Sequence, residues 1–314
     1  MSELLKNIDA RTKLAGTNKL EILMFTLGKD THNGREEIFG INVFKVREVM
    51  RVPSITRAPD MPEFVEGMVS LRGSLVPVID LAKYAGIQTD DKSEIMIVTE
   101  YNGHTQGFLV KAVDNILRLD WSAMRVPPEI LAAEMGGLVT AITELKDNRL
   151  VMMMDVEKVL AETSHFNMDD LAIKSVKPLG KENRTVFFAD DSSVARNQIM
   201  RTLDAMQVNY ISAINGRQAW QELSRMADYS DATKTPLKNM LQVILTDVEM
   251  PEMDGYMLTR NIKADKRFNG IPVLMHSSLS NKQNEQMGKS VGVDEYVPKF
   301  EPQKLAQTLA RLLT

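Results

Sequence analysis

Four separated apolar runs in this chain end in residues that carry chemistry, and this repeat constrains the fold more than any other feature. Asp190-Asp191 ends the run Thr185–Ala189, Asp247 follows Leu245-Thr246, Ser277-Ser278 ends the run from Ile271 to His276, and Lys299 follows Glu295-Tyr296-Val297. Apolar strands that alternate with helices build a doubly wound parallel sheet, whose ligands bind outside the carboxyl ends of the strands. The sequence therefore predicts an α/β unit with acids, a hydroxyl and an ammonium at one sheet edge.

This edge has a chemistry suited to a phosphoryl group. Asp190, Asp191 and Asp247 repel one another when packed together, unless a hard cation such as Mg²⁺ lies among their oxygens. Asp247 is the candidate nucleophile that forms an acyl phosphate, and Lys299 and Ser277 would neutralise charge on the phosphoryl oxygens. Taken singly, these residues are ordinary: Ser277-Ser278 is typical of a helix N-cap, and a lone lysine is usually solvated. The agreement of the whole set favours a site.

In order and strand context, these residues resemble the receiver domain of response regulators, from 183 to 314. The resemblance implies a flavodoxin-like five-stranded sheet, Mg²⁺ held by Asp190, Asp191, Asp247 and the Glu249 carbonyl, and a phospho-acceptor at Asp247. It also implies that Ser277 and Lys299 contact the phosphoryl group and that Tyr296 is the switch aromatic. The chain departs from the family at one point, because Pro298 precedes Lys299 and Phe300 follows it, where receivers usually have a proline after the lysine.

The N-terminal half has a different pattern, of short runs rich in Val, Ile, Leu, Met and Phe. They cover Leu20–Leu27, Ile38–Val49, Met68–Leu71, Leu75–Ile79, Glu94–Tyr101, Gln106–Val113, Leu138–Thr143 and Leu150–Met154. Turn signals separate them, notably Asn102-Gly103, which favours a tight hairpin, Arg72-Gly73, and Lys146 to Arg149. The pattern predicts an all-β barrel or sandwich.

The residues that carry a family resemblance in this half are spread along it. They are Glu21-Ile22-Leu23-Met24-Phe25, Phe39-Gly40-Ile41, Val46-Arg47-Glu48-Val49, Phe64-Val65-Glu66-Gly67, Ser70-Leu71-Arg72-Gly73, Val76 to Leu81, Gly107-Phe108-Leu109-Val110 and Val113-Asp114. This half resembles the CheW-like coupling domain of bacterial chemotaxis, which implies two five-stranded barrels that bridge chemoreceptor tips to a histidine kinase. A coupling domain followed by a receiver resembles the CheV-type chemotaxis coupling proteins.

The candidate partner-binding residues of the coupling domain are Arg72 and Gly73, with Val46 and Val49 as apolar neighbours. Barrel edges and turns offer backbone groups and side chains that suit a partner strand or helix. The alternatives are that Gly73 only supplies a positive φ, that Arg72 pairs within the domain, and that the valines are core residues. Arg47-Glu48 is expected to form a weak ion pair. The segment Gly28 to Glu37, longer than a tight hairpin, is expected to be a solvated loop.

Length and composition set the domain organisation. A chain of 314 residues predicts at least two domains. The expected division is a helical extension at 1–16, the coupling domain at 17–161 with a closing helix capped by Asp155, a linker at 162–182, and the receiver at 183–314. A net charge of −4 argues against nucleic-acid binding, and the absence of cysteine excludes disulfides. The N-terminus does not read as a signal peptide, and no apolar run reaches membrane-spanning length, so the expected location is the cytoplasm, at receptor arrays on the inner membrane.

Two classes of function compete. The first is a non-enzymatic chemotaxis adaptor that is phosphorylated by the kinase phosphohistidine, either to change its own binding or to act as a phosphate sink. Its receiver would catalyse only its own phosphorylation and dephosphorylation. The second is a stand-alone phosphohydrolase of the haloacid-dehalogenase type, which also uses an aspartyl nucleophile with Mg²⁺. Those enzymes carry an Asp-x-Asp motif on the first strand, whereas here the lone aspartate follows the third strand, so the adaptor is favoured.

Overall fold

The computed structural model describes residues 19–57, 59–101, 103–163, 173, 175–179, 184–278 and 282–313. The predicted N-terminal helical extension lies outside these ranges. The chain divides into two compact units, of which the first contains Lys19–Asp120 and Met124–Thr163. Within the described ranges, no helix is long and apolar enough to cross a membrane.

The N-terminal unit contains two five-stranded sheets. The first has the order β8-β1-β2-β10-β9, with β1 at Lys19–Thr26, β2 at Ile38–Asn42, β8 at Ala112–Asp120, β9 at Val139–Glu144 and β10 at Leu150–Met154. The second has the order β3-β6-β7-β5-β4, with β3 at Val46–Arg51, β4 at Val65–Leu71, β5 at Ser74–Asp80, β6 at Ile95–Tyr101 and β7 at His104–Val110. All neighbours are antiparallel except β2 with β10 and β5 with β7. The predicted double five-stranded β architecture is confirmed.

Two of the predicted turns are two-residue hairpin connections. Leu71 pairs with Ser74, and Tyr101 pairs with His104. In the first of these turns, Arg72 has a φ of 51° and Gly73 a φ of 86°. Positive φ at both central residues is the backbone that matches the twist of antiparallel strands. The turn therefore requires Gly73 and holds Arg72 in a conformation that non-glycine residues seldom adopt.

The strand predictions are wrong at two places. The run Ile38–Val49 is not one strand, because a 3-10 turn at Val43–Lys45 separates β2 from β3, and the Asn42 side chain caps this turn by accepting from the Phe44 N–H. The strand β8 was not predicted beyond Val113. Most of its residues are exposed or half-buried, since it lies at a sheet edge, so its sequence lacks the apolar run of an inner strand.

In the described part of the N-terminal unit, three α-helices accompany these sheets: α1 at Leu81–Tyr84, α2 at Glu129–Glu134 and α3 at Val156–Thr163. The closing helix predicted after Asp155 is confirmed as α3. The Asp155 Oδ1 accepts hydrogen bonds from the N–H groups of Glu157 and Lys158, at 3.1 and 3.0 Å, and so satisfies the first turn of the helix.

The C-terminal unit is a parallel five-stranded sheet of order β12-β11-β13-β14-β15, as predicted. Its strands are β11 at Thr185–Ala189, β12 at Asn209–Ala213, β13 at Val243–Thr246, β14 at Val273–Ser277 and β15 at Glu295–Pro298. The described helices are α4 at Ser193–Met206, α5 at Gly216–Thr233, α6 at Gly255–Ala264, α7 at Lys282–Ser290 and α8 at Pro302–Leu313. The inner strands β11, β13 and β14 are mostly apolar because helices cover both faces.

Each face of this sheet has its own apolar core. On one face, Phe187 and Ile244 pack with Leu223 of α5 and Leu258 of α6. On the other face, Phe188 and Leu245 belong to a core that also contains Ile199 and Leu203 of α4 and Leu305 and Leu309 of α8. Alternate residues of one strand thus enter opposite cores, which fixes the strand register.

The segment expected to be a linker, 162–182, does not run free where the structure describes it. Val176 and Leu179 pack against the core shared by α4 and α8, and Ile173 is buried. The Leu179 N–H donates to the Met206 carbonyl at 2.7 Å, and Ser175 accepts a hydrogen bond from Gln303 of α8. We call the described residues of this segment, 173 and 175–179, the strap. The domain boundaries themselves stay predictions.

Candidate phosphoryl-acceptor site and partner surface

The acids that end β11 and β13 meet in one buried cluster. One carboxylate oxygen from each of Asp190, Asp191 and Asp247 lies within 4.8 Å of the others. Asp190 is fully buried and Asp247 is 3% exposed. The cluster forms because β11 and β13 are parallel neighbours, with the Asp247 N–H donating to the Ala189 carbonyl at 2.8 Å. The sheet therefore brings together the acids that the sequence predicted at this edge.

Lys299 inserts its ammonium group into the acid cluster. Its Nζ lies 2.9 Å from Asp190 Oδ2 and 3.0 Å from Asp247 Oδ2, and its side chain is 1% exposed. The Lys299 N–H donates to the Ser277 carbonyl at 3.1 Å, which ties the end of β15 to that of β14. Phe300 has a φ of 60°, which a proline cannot adopt, so the chain's departure from the usual receiver sequence matches its backbone here.

The donor set fits a hard divalent cation. When ionised, the three carboxylates exceed the one ammonium by two negative charges, and the ligand atoms that the three acids offer are oxygens. Mg²⁺ prefers oxygen ligands in this arrangement, and its charge would balance the excess. Glu249, whose carbonyl was predicted as a further ligand, lies two residues beyond Asp247 and has a buried side chain.

Ser277, the last residue of β14, is linked to Tyr296 of the neighbouring strand β15. Ser277 is fully buried. Burial raises the pKa of Tyr296, and a hydrogen bond with Ser277 acts in the opposite direction. The Tyr296 ring packs against a small apolar cluster formed by Val248, Tyr256, Met275 and Val291. The residue predicted as a switch thus bonds to the predicted phosphoryl-contacting hydroxyl.

Two glycines hold the loop that follows Asp247. A Cβ on Gly255 would lie 1.9 Å from the Asp247 carbonyl oxygen, and one on Gly216 would lie 2.1 Å from the Met253 carbonyl oxygen. Asp254 caps α6 by accepting from the Met257 N–H at 2.6 Å, and burial raises the pKa of Asp254. In the sequence, Asp254-Gly255 resembles a common turn, so this close packing was not foreseen.

Sequence reasoning also missed Arg196, which belongs to the first turn of α4. Its Nη1 donates to the carbonyl oxygens of Asp190 and Asp191 at 3.0 and 2.8 Å. The signal that could have found it is its position five residues after Asp191 in a helix, because helical side chains point back towards the N-terminus.

The residues predicted to bind a partner differ in their exposure. Arg72 is 71% exposed and its Nη2 lies 3.1 Å from Glu48 Oε2. Val46 is 3% exposed, which favours the alternative that it is a core residue, and its contact with a partner stays a prediction. Val49 is half-buried. Leu75, which the sequence did not single out, is 71% exposed beside the Arg72-Gly73 turn.

Further ion pairs lie in the coupling domain, some beside the Arg72-Gly73 turn and some at the other end of β4. Arg47 lies 3.9 Å from Glu48, as predicted, and 3.1 Å from Glu100. The neighbouring motif residue Glu66 bonds to Arg57 and Lys83. Burial raises the pKa of Glu66, but the hydrogen bonds from Lys83 and Arg57 outweigh it and hold that pKa below its ordinary value.

The loop expected to be solvated, Gly28 to Glu37, is tied down at its start. The Thr31 N–H donates to the Gln88 carbonyl at 2.8 Å, and the Lys29 N–H donates to Asp91 at 3.0 Å. Thr31 lines an open groove of about 530 Å³ together with Phe64, Lys83 and Ile87. The remainder of the loop is exposed.

Two family models match the chain, one in each half. Residues 21–164 match the model of the CheW-like domain, and residues 186–310 match that of the response regulator receiver domain. Both predicted domain types are therefore confirmed. The phosphohydrolase alternative is not supported, since the acid pair ends the first strand of the sheet unit and Asp247 ends the third, in a receiver domain.

Relatives match both the whole chain and its halves. The chain is 31% identical to chemotaxis protein CheV3 of Helicobacter pylori, over 88% of this chain and 89% of that protein. It is 32% identical to chemotaxis protein CheW of Klebsiella aerogenes over 51% of this chain and 94% of that protein. It is 33% identical to chemotaxis protein CheY1 of Helicobacter pylori over 40% of this chain and 92% of that protein.

Proposed function

The chain belongs to the CheV family of chemotaxis proteins, and from this premise we propose that it is a coupling adaptor whose receiver domain accepts a phosphoryl group on Asp247. The observation that carries the proposal is the buried contact of Lys299 with Asp247 and Asp190, at 3.0 and 2.9 Å. A carboxylate beside a second carboxylate and a fixed ammonium is suited to bind and neutralise a transferring phosphoryl group.

The donor in this proposal is the phosphohistidine of a chemotaxis kinase. An Asp247 carboxylate oxygen attacks phosphorus, the P–N bond breaks, and the bonding electron pair goes to the imidazole nitrogen. Lys299 neutralises one phosphoryl oxygen, and the Ser277 hydroxyl donates a hydrogen bond to another. Mg²⁺, when held by Asp190, Asp191, Asp247 and the Glu249 carbonyl, supplies further charge neutralisation. Hydrolysis of the acyl phosphate by the same residues resets the domain, which is otherwise not an enzyme.

The signal leaves the site through Ser277 and Tyr296. If Ser277 turns to bond the phosphoryl group, its hydrogen bond with Tyr296 competes with that new contact. Tyr296, which in this structure packs against the cluster around Met275 and Val291, then changes its packing there. Such a change alters the binding of the adaptor only to the extent that its partner distinguishes the two states.

The coupling domain contacts the kinase and the cytoplasmic tips of chemoreceptors through the Arg72-Gly73 turn. Arg72 is exposed, Leu75 offers exposed apolar area beside it, and Val49 is half-buried nearby. Arginine next to apolar area is a frequent centre of binding energy at protein interfaces. The protein would act in the cytoplasm at receptor arrays on the inner membrane.

The phosphoryl-acceptor role is tested with a radiolabelled, phosphorylated chemotaxis kinase and Mg²⁺. The full-length chain should take up the label, and Asp247→Asn should not. Asp204→Asn, which changes an exposed aspartate on α4, is the matched control and should be labelled like the wild type. Labelling of Asp247→Asn at the wild-type rate would refute the assignment.

The coupling role is tested by co-sedimentation with arrays of receptor and kinase. Arg72→Ala should bind at least tenfold more weakly, the effect of losing a moderate hot spot. Its thermal stability should stay within about 1 kcal/mol of the wild type, because the ion pair with Glu48 is exposed. Arg149→Ala, in another turn and with a similarly exposed ion pair to Asp147, should bind normally. Equal affinity for Arg72→Ala would remove that residue from the surface.

A further inference from the structure

One arginine nitrogen fixes the backbone of both acids that end β11. Arg196 Nη1 donates to the carbonyl oxygens of both Asp190 and Asp191, at 3.0 and 2.8 Å. A single nitrogen can reach both oxygens only where the two carbonyls converge. The orientation of the two peptide units relative to each other is therefore set by this contact.

The rest of the connection between β11 and α4 is also bonded. The Ser192 N–H donates to Asp190 Oδ1 at 3.0 Å, and the Ser192 hydroxyl accepts from the Ala195 N–H at 3.4 Å as the N-cap of α4. Neighbouring side chains in an extended strand point to opposite sides. The chain must therefore turn at Asp190 for the carboxylates of Asp190 and Asp191 to reach the same cluster, and Arg196 holds that turn from outside.

Arg196 has two opposite effects on the affinity of the acid cluster for a cation. Its positive charge lowers that affinity, whereas its hydrogen bonds to the backbone raise it. Among the described residues, no carboxylate forms an ion pair with its half-buried guanidinium. A positive charge at this distance weakens cation binding, and a fixed backbone strengthens it by orienting the ligands. The two effects predict opposite results when the side chain is removed.

We propose that Arg196 is a positioning residue, which holds the carboxylates of Asp190 and Asp191 ready for a divalent cation. The inference rests on the proposed function, because it assigns a support to the same site. Residues that orient metal ligands typically change metal affinity by 10- to 100-fold when they are replaced. We thus expect the positioning effect to exceed the charge effect, which the titration below tests.

The test is a calorimetric titration of the full-length protein with Mg²⁺ alone. Arg196→Met should raise the dissociation constant about tenfold. Arg196→Lys should keep most of the affinity, because both bonds come from one nitrogen and an ammonium group can donate to two oxygens. With acetyl phosphate as the donor, the phosphorylation of Arg196→Met should need about tenfold more Mg²⁺ for half-saturation, yet approach the wild-type rate at saturation.

Arg184→Met is the matched control. Arg184 also donates to two carbonyl oxygens, those of Leu313 and Leu179, at 3.3 and 3.1 Å, but it lies at the start of β11 and not at its end. Its replacement should lower stability without changing Mg²⁺ affinity. If Arg196→Met does not fold, Arg196→Gln replaces it in the same titration.

Three results would overturn the inference. They are an unchanged or tighter Mg²⁺ affinity in Arg196→Met, an equal loss of affinity in Arg184→Met, and a lower phosphorylation rate that saturating Mg²⁺ does not restore. If the wild type accepts phosphate and binds Mg²⁺, and Arg196→Met does so equally well, only the role of Arg196 is refuted. A wild-type protein that does neither refutes the proposed function, and the inference with it.

Discussion

Gly255 packs directly on the backbone of Asp247. A Cβ at Gly255 would lie 1.9 Å from the Asp247 carbonyl oxygen and 2.9 Å from its carbonyl carbon. The φ of Gly255 is not positive, so close approach and not backbone freedom requires glycine here. Because backbone cannot move aside as a side chain does, Gly255→Ala should destabilise the C-terminal unit by about 2 to 3 kcal/mol. Urea unfolding would measure the loss.

Gly288→Ala is the control for this substitution. Gly288 also belongs to a helix, α7, and a Cβ there would meet the Met275 sulfur at 3.4 Å, an ordinary contact. Alanine is the better helix former by about 1 kcal/mol, so this change should be neutral or stabilising. Equal losses for the two variants would show that the contact with Asp247 has no special weight.

Lys299→Met should destabilise the protein mainly when Mg²⁺ is absent. The ammonium is bonded to Asp190 and Asp247, and its removal leaves buried negative charges without their partner. The expected loss is about 3 kcal/mol in metal-free urea unfolding. Mg²⁺ should recover a larger share of stability in the variant than in the wild type, because the cation replaces the missing charge.

The exposed Lys304 of α8 supplies the control for Lys299. Its ion pair with Glu301 spans 3.7 Å and both side chains are about half exposed. Lys304→Met should therefore change stability by less than about 0.5 kcal/mol with or without Mg²⁺. If Lys299→Met lost no more stability than Lys304→Met in metal-free buffer, the proposal that Lys299 balances the charge of Asp190 and Asp247 would be contradicted.

The carboxylate of Glu66 should give the N-terminal unit a pH-dependent contribution to stability. Its bonds with Lys83 and Arg57 hold its pKa below the ordinary value of 4.5. A carboxyl whose pKa is lowered by folding stabilises the protein above its unfolded pKa, and the contribution is lost as the pH falls through the folded pKa. Wild type should thus exceed Glu66→Gln in stability at neutral pH, and the difference should vanish below the folded pKa.

Denaturant unfolding at a series of pH values would measure this difference. Asp120→Asn is a suitable control, since its ion pair with Lys19 is about half exposed on both sides. That variant should differ little from the wild type at any pH. A gap between wild type and Glu66→Gln that persisted into acid would mean that packing, and not charge, explains the effect.

The strap should protect its own amides from hydrogen exchange. The Leu179 N–H donates to Met206, and Val176 and Leu179 contact the core under α4 and α8. Replacing both apolar residues, in Val176→Ser with Leu179→Ser, should remove protection of the Leu179 amide and lower stability by about 2 kcal/mol. Lys177→Ser, at an exposed position of the strap, should change neither quantity.

The C-terminal fold could be predicted because its apolar strands and its functional strand ends agree. The strands β11, β13 and β14 are short and mostly apolar, and parallel pairing of β11, β13, β14 and β15 necessarily brings their carboxyl ends together. The presence of Lys299 within reach of Asp190 follows from that topology. In the C-terminal half, the local sequence pattern and the arrangement of the strands therefore predict the same fold.

The features that were missed depend on packing that no local pattern records. Arg196 looks like any helix arginine until the turn at Asp190 is known, and Gly255 looks like a turn glycine. Val46 could not be separated from Val49, because only the direction of β3 decides which valine faces the core. The strap was assigned to a linker because its few apolar residues find their contacts in a core that α4 and α8 form later in the chain.

The order of the strands in the N-terminal unit also determines which of its two sheets can fold first during synthesis. The first sheet begins with β1 and β2, but β2 pairs on its other side with β10, and all of the second sheet lies between them in the chain. The second sheet can close once Val110 has been synthesised, while the apolar faces of β1 and β2 wait for a strand that ends at Met154. Nascent chains halted before that point should therefore contain a complete second sheet and a β1-β2 hairpin whose apolar face is still uncovered. Chaperones that bind exposed apolar surface would bind this species.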